Sequence, residues 1–160
     1  MNLSFQHILA QMQANVYAPD NYDAYTFENV SVVATLPGTG TYSFSTNGGV
    51  LTPDNDQTTD FTYLTNTTVT NDGLDDTALQ NFLVFPGAAS FTVNYVIKDA
   101  SGATVADYST AATAKTFNVD LTAGKRTNVV ITLGGPNVPV KFNTSLTDWE
   151  DAEDTEVTAQ

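Results

Sequence analysis

Residues 91–102 read FTVNYVIKDASG. Phe91, Val93, Tyr95 and Ile97 alternate with Thr92, Asn94 and Val96, and the run stops at a turn signal built from Asp, Ser and Gly. Side chains one residue apart in an extended chain point to opposite faces, so a period of two over this length predicts a half-buried strand. Working outward, residues 116–135, TFNVDLTAGKRTNVVITLGG, repeat the pattern. Phe117, Val119 and Leu121 lead to a turn at Ala123–Lys125 and then to Val129, Ile131 and Leu133, spacing that predicts a hairpin.

The same alternation marks NVSVVATL (Val30, Val32, Ala34, Leu36), TYSFST (Tyr42, Phe44), DFTYLT (Phe61, Tyr63), NFLVFP (Phe82 to Phe85) and VPVKFN (Val138, Val140, Phe142). Seven or more short strands separated by turn clusters bury one face each most simply as a sandwich, so the expected class is all-β. Residues 47–60 and 70–78 read as loops from their Gly, Asn and Asp content. The N-terminal segment reads two ways. Phe5, Ile8, Leu9, Met12 and Val16 sit at helical spacing among good helix formers, while a long first strand with a bulge or one helical turn around His7 to Ala10 competes with a helix.

A length of 160 residues fits one domain, expected over 1–145, with 146–160 as an acidic tail. Eighteen Asp and Glu against five Lys and Arg give a net charge of -13, which repels phosphate backbones and anionic lipid surfaces. Nucleic acid and direct membrane insertion are therefore poor expectations. Without cysteine the chain has no disulfide framework, thiolate metal site or cysteine nucleophile.

No constellation nominates a catalytic residue. His7 is the sole histidine, no G-x-S-x-G elbow accompanies it, and it reads as structural. AGKRT at 123–127 lacks the earlier glycine of a phosphate loop, since Val119 stands there. Asp54, Asn55, Asp56 and Asp60 in one loop, and Asn71, Asp72, Asp75 and Asp76 in another, offer the hard oxygen donors that calcium takes. Neither loop has the spacing of a dedicated calcium loop, so solvated turn acids are the favoured reading. Tyr17, Tyr22 and Tyr25, flanked by Asp20, Asn21 and Asp23, form a candidate glycan platform, with core or edge packing as the competing fate. At the C-terminus, SLTDWEDAEDTEVTAQ places Trp149 directly before a run of acids, so that Trp149 either locks the last strand or is received by another molecule.

In their order, NLSFQHILAQMQANVY, FLVFPGAASFTVNYVIKDASG, LTAGKRTNVVITLG and VKFNTSLTDWED resemble the fimbrillin-like proteins of Bacteroides-type bacteria, subunits and accessory proteins of surface pili and related adhesins. The resemblance favours a strand at the N-terminus. It implies a transthyretin-like Greek-key β-sandwich, export as a lipoprotein to the outer membrane and cell surface, and a role in pilus assembly or adhesion with neither catalysis nor cofactor. It further implies that a signal peptide and an N-terminal domain precede this segment in a longer precursor. Family polymers form when an extended strand fills a groove in a neighbour, so the implied partners are other pilus subunits or a second copy, with host glycans or proteins as further candidates. The residues expected to carry association are Val138, Val140, Phe142, Leu146 and Trp149. The resemblance also marks Thr77, in Asp-Thr-Ala, as an O-glycosylation candidate.

Overall fold

The inward half of the alternation at residues 91–97 is realised, and Val96 on the other face is buried as well. In a computed structural model, which describes residues 7–20, 22–45, 48–69 and 81–148, Phe91, Val93, Tyr95 and Ile97 are wholly buried. They line one face of a long strand, Gly87–Asp99. The described residues form eleven strands and no helix: β1 (Ala10–Tyr17), β2 (Tyr25–Pro37), β3 (Gly40–Ser45), β4 (Gly48–Pro53), β5 (Thr58–Val69), β6 (Phe82–Val84), β7 (Gly87–Asp99), β8 (Thr104–Asp107), β9 (Lys115–Leu121), β10 (Lys125–Thr132) and β11 (Lys141–Asp148).

One sheet has the order β11-β10-β1-β6; the other has β5-β2-β7-β8, with β9 also paired to β7. Apolar residues of both sheets meet in a single core, with Met12, Val129 and Ile131 from the first packed with Phe27, Phe91 and Tyr95 from the second. The all-β sandwich expectation holds. A separate hairpin, β3 with β4, branches off between β2 and β5.

β1 resolves the ambiguous N-terminal pattern as a strand. Ala10, Met12, Ala14 and Val16 all face the core, and β1 lies parallel to β10 and antiparallel to β6. Residues four apart share a face at a period of 2 as well as at 3.6, so Met12 and Val16 fit either reading. The small alanines between them carry the deciding signal, and pairing on both flanks overrides local helix preference.

β2 changes face along its length. Phe27 points inward, yet so do Val30, Val32, Ala34 and Leu36. The switch from odd to even occurs at Asn29, which adopts φ 53° where the register against β7 skips between Glu28 and Ser31. One extra residue in a bulge re-aims the strand, and asparagine tolerates the left-handed conformation that the bulge needs.

Three expected boundaries are corrected. The hairpin read at 116–135 is absent, because β9 pairs with β7 whereas β10 pairs with β1 and β11. Thr122–Gly124 instead carry the chain from one sheet to the other. Gly124 takes φ 71°, and its N–H donates to the Leu9 carbonyl at 2.9 Å. A turn within one sheet and an arch between two facing sheets bury the same alternate residues, so spacing could not separate them. The loop read at 47–60 contains β4 and the start of β5. Its glycines disguise a strand: Gly49 lies beneath the Tyr42 ring, where a Cβ would collide with the phenol. Finally, Val138 and Val140 precede the last strand, which runs from Lys141 to Asp148. A turn in which the Val138 N–H donates to the Gly135 carbonyl, with Pro136 second and Asn137 third at φ 64°, delays the extended chain.

An aromatic belt crosses the sandwich. Phe82 of β6 meets Tyr63 of β5 with ring centroids 5.0 Å apart, Tyr63 stacks on Phe91 at 6.0 Å, Phe91 on Phe117 of β9 at 4.9 Å, and Phe117 on Phe142 of β11 at 3.8 Å. It joins both outer strands of the first sheet across the second. Offset contacts of this kind add to the area term of burial.

Tyr95 fixes the chain that leads into β11. Its buried hydroxyl donates to the Gly134 carbonyl and accepts the Gly134 N–H, both at 3.2 Å, and burial pushes the phenol's pKa well up. Tyr95→Phe keeps the ring but strips both Gly134 groups of this partner, and is expected to cost about 1–3 kcal/mol in urea unfolding.

Candidate functional site

β11 is laid down by its register with β10. Thr127 faces Leu146, Val129 faces Thr144 and Ile131 faces Phe142, so Phe142, Thr144 and Leu146 continue the inward row of β10. Thr127, Val129 and Ile131 are buried, but the continuation is not. Leu146 is 53% exposed and Thr144 is exposed as well. Across the sandwich a groove separates this row from β9 of the opposite sheet.

Between β9 and β11 runs a groove of about 320 Å³ lined by Asn118, Val119, Asp120, Thr127, Thr144, Ser145 and Leu146. The Phe117–Phe142 stack closes one end. Near the other end Lys125 makes an ion pair with Asp148. The Thr127 hydroxyl is buried beside this groove without a hydrogen-bond partner among the described residues, an arrangement that costs free energy. Among the described residues β11 has β10 on one flank and no strand on the other, which leaves a row of main-chain donors and acceptors available.

Of the residues expected to carry association, Phe142 and Leu146 lie on β11 beside this groove. Val138 and Val140 instead line a second cavity beyond the aromatic stack, with Phe142 between the two. Trp149 and Thr77 fall outside the described residues, as do Asn71, Asp72, Asp75 and Asp76. Thr127 was missed by sequence reading, and Val119 was read only as a strand residue. Thr127 nevertheless left a signal, as a hydroxyl at the first inward position of an otherwise apolar alternation.

The other candidates lie elsewhere. Tyr22 and Tyr25 are partly buried against the core, 5.7 Å apart and tilted, and the Tyr22 ring rests on Gly135, where a Cβ would strike it. Tyr17 is exposed. Asp54 accepts the Asp56 N–H at 3.0 Å, whereas Asp60, on β5, accepts the Thr35 hydroxyl at 2.6 Å. Among the described residues no group of three or more His, Cys, Asp or Glu is placed to hold a metal. His7 is exposed just ahead of β1.

With this geometry in place, comparison with known proteins is informative. The profile of a family described as fimbrillin-like matches residues 1–149. The chain belongs to the fimbrillin-like family. No curated protein shows significant similarity to it. Among solved structures, a candidate cell adhesion protein of Bacteroides uniformis superposes with a TM-score of 0.50 at 17% identity, over 91% of this chain and 52% of its own length. A second candidate cell adhesion protein, from Bacteroides fragilis, aligns at a TM-score of 0.38 and 12% identity, over 94% of this chain and 48% of its own. This fimbrillin-like chain thus spans about half the length of the structures it matches, and the first of them shares its fold.

Proposed function

We propose that this fimbrillin-like chain is a non-catalytic structural and adhesive domain of a cell-surface pilus subunit or adhesin, and that it associates through β11. An extended segment of a neighbouring subunit would lie along the free flank of β11, over the groove toward β9. Main-chain hydrogen bonds would supply affinity, and alternate side chains would enter the groove beside Val119 and Leu146. The observation that carries this reading is the half-open row on β11: inward-facing positions left exposed next to a buried hydroxyl without a partner. Family membership supports a surface role, exported to the outer membrane, with other pilus subunits or copies of itself as partners.

A charge placed inward on an outer strand is a standard barrier to further strand addition. Leu146→Lys provides one at a position exposed enough to tolerate it, with a stability change expected within about 0.5 kcal/mol. The wild-type chain should gain mass with concentration in light scattering, and Leu146→Lys should weaken that association at least about tenfold. A variant that associates equally well would remove β11 from the assembly, and a wild type that stays monomeric throughout would remove copies of itself as partners.

A further inference from the structure

The second cavity, about 560 Å³, is lined by Tyr108, Lys115, Thr116, Asn137, Val138, Pro139, Val140 and Phe142, with Ala114 at its edge. Its volume falls within the range of small-ligand sites. Lys115 is its one cation, in a chain with 18 acids and five bases. Two of the other four bases are neutralised by carboxylates, Lys98 by Glu28 at 2.9 Å and Lys125 by Asp148. Arg126 holds Gln11 through its Nε, and Lys141 is exposed on β11. Lys115 has no carboxylate partner among the described residues; its ammonium sits 4.6 Å from the centroid of the Tyr108 ring.

That ammonium is held by a relay of fixed parts. Tyr108 packs on the buried Tyr95 with centroids 4.9 Å apart, and its N–H donates to the Tyr95 carbonyl at 2.8 Å. The segment between Tyr108 and Lys115 is braced from within. The Asp107 carboxylate accepts the Ser109 N–H at 2.8 Å and also the Ser109 hydroxyl, which holds its pKa below the usual carboxylate range. The Ala114 N–H closes a turn onto Thr110 at 2.7 Å. The opposite wall is the Gly135–Val138 turn followed by Pro139, whose ring limits the backbone. Both walls are set before any ligand arrives, which reduces the ordering cost of binding.

We infer that this cavity binds a saccharide residue carrying a carboxylate, of the uronic or sialic acid type. The Lys115 ammonium takes the carboxylate in a charge-assisted hydrogen bond. Asn137 offers an amide for ring hydroxyls, able to donate and to accept. Val138, Pro139 and Val140 form a short apolar wall for the C–H face of the ring. Tyr108 has one face turned to Lys115 and packs on Tyr95 besides, so its role is to position the cation. The site needs neither the free flank of β11 nor its groove, so it stands or falls separately from strand association.

The test is an NMR titration of the whole chain with glucuronate and N-acetylneuraminate. Glucose and N-acetylglucosamine serve as neutral rings, acetate as a carboxylate without a ring, and a peptide of residues 149–160 as an acidic protein segment. An acidic sugar is expected to shift the amides of Thr116, Asn137, Val138 and Val140 saturably, while the neutral sugars and acetate leave them in place. Lys115→Gln should weaken that binding about tenfold or more, the loss expected for a charged hydrogen bond, and Lys115→Arg should retain most of it. The inference is overturned if no acidic sugar shifts these amides, if neutral sugars shift them equally, or if Lys115→Gln binds as the wild type does. It is likewise overturned if the acidic peptide occupies the cavity and the sugars do not. Should Lys115→Gln fail to fold, the wild-type shift map and Lys115→Arg decide, since shifts centred elsewhere exclude the site.

Discussion

Phe91→Ala is expected to lower the free energy of unfolding by about 3–5 kcal/mol, a substantial share of the roughly 5–15 kcal/mol that holds an ordinary domain folded. Phe91 is fully buried at the middle of β7, and it is the central ring of the aromatic belt, in contact with Tyr63 on one side and Phe117 on the other. Truncation removes the apolar transfer term, leaves a cavity that two rigid sheets cannot collapse, and breaks both ring contacts at once. Urea unfolding followed by tryptophan-independent circular dichroism would measure the midpoint. A loss below about 1 kcal/mol, outside the range for burial of an aromatic ring, would show that the belt is not packed as described. Because the belt ends on Phe142, the variant should also loosen β11, visible as faster amide exchange along Lys141–Asp148.

Gly134→Ala carries the second large effect, for a different reason. A Cβ at Gly134 would stand 2.8 Å from the Pro139 carbonyl carbon and from the Val140 nitrogen, and closer still to the Val138 carbonyl oxygen. These are backbone atoms, so no side chain can swing aside. The expected cost is about 3 kcal/mol, at the upper end for overpacking, and the displaced segment 135–140 should take Val138 and Val140 away from their cavity. Gly102→Ala is the matching control: Gly102 has φ 84° and open space around a would-be Cβ, so only the conformational penalty of about 1–2 kcal/mol applies. Equal losses in the two variants, read by thermal unfolding, would contradict the close approach at Gly134.

Strand content was legible wherever one face of a strand is buried and the other wet, as at Phe91–Ile97 and Val30–Leu36, because alternation there is a direct imprint of the pleat. It failed in three physically distinct places. The arch at Thr122–Gly124 keeps inward residues inward whether the next strand joins the same sheet or the facing one, so partner choice leaves no trace in the pattern. In β4 glycines occupy positions that a packed strand would fill, and the hairpin it forms with β3 stands off the core, with Phe44 88% exposed. In β11 the pattern is faint because the strand buries so little, leaving Phe142 as its one clear signal.

The candidate site was legible in the same partial way. Sequence reading reached the last strand through the apolar Phe142 and named Leu146 beyond it. It could not see the groove, which is a property of the distance between β9 and β11, strands on different sheets separated by the β10 segment. Lys115 was equally hidden. Its significance comes from which carboxylates are within reach, and a one-dimensional reading of charge gives only the total.

The two outer strands of the first sheet differ in a way that bears on symmetry. β6 is three residues long, whereas β11 offers eight, so the sheet has one substantial face for growth. If two copies met through β11 alone, the same edge would serve both, the strands would run antiparallel, and the inward row of one copy would continue that of the other. Such a two-fold contact is self-complementary and saturates at a dimer. A filament requires instead that a different segment of each subunit meet the β11 of the next, a head-to-tail contact that leaves one edge unfilled at every stage of growth. The mass distribution of the associating protein, halting at two copies or spreading over many, therefore reports which segment β11 receives.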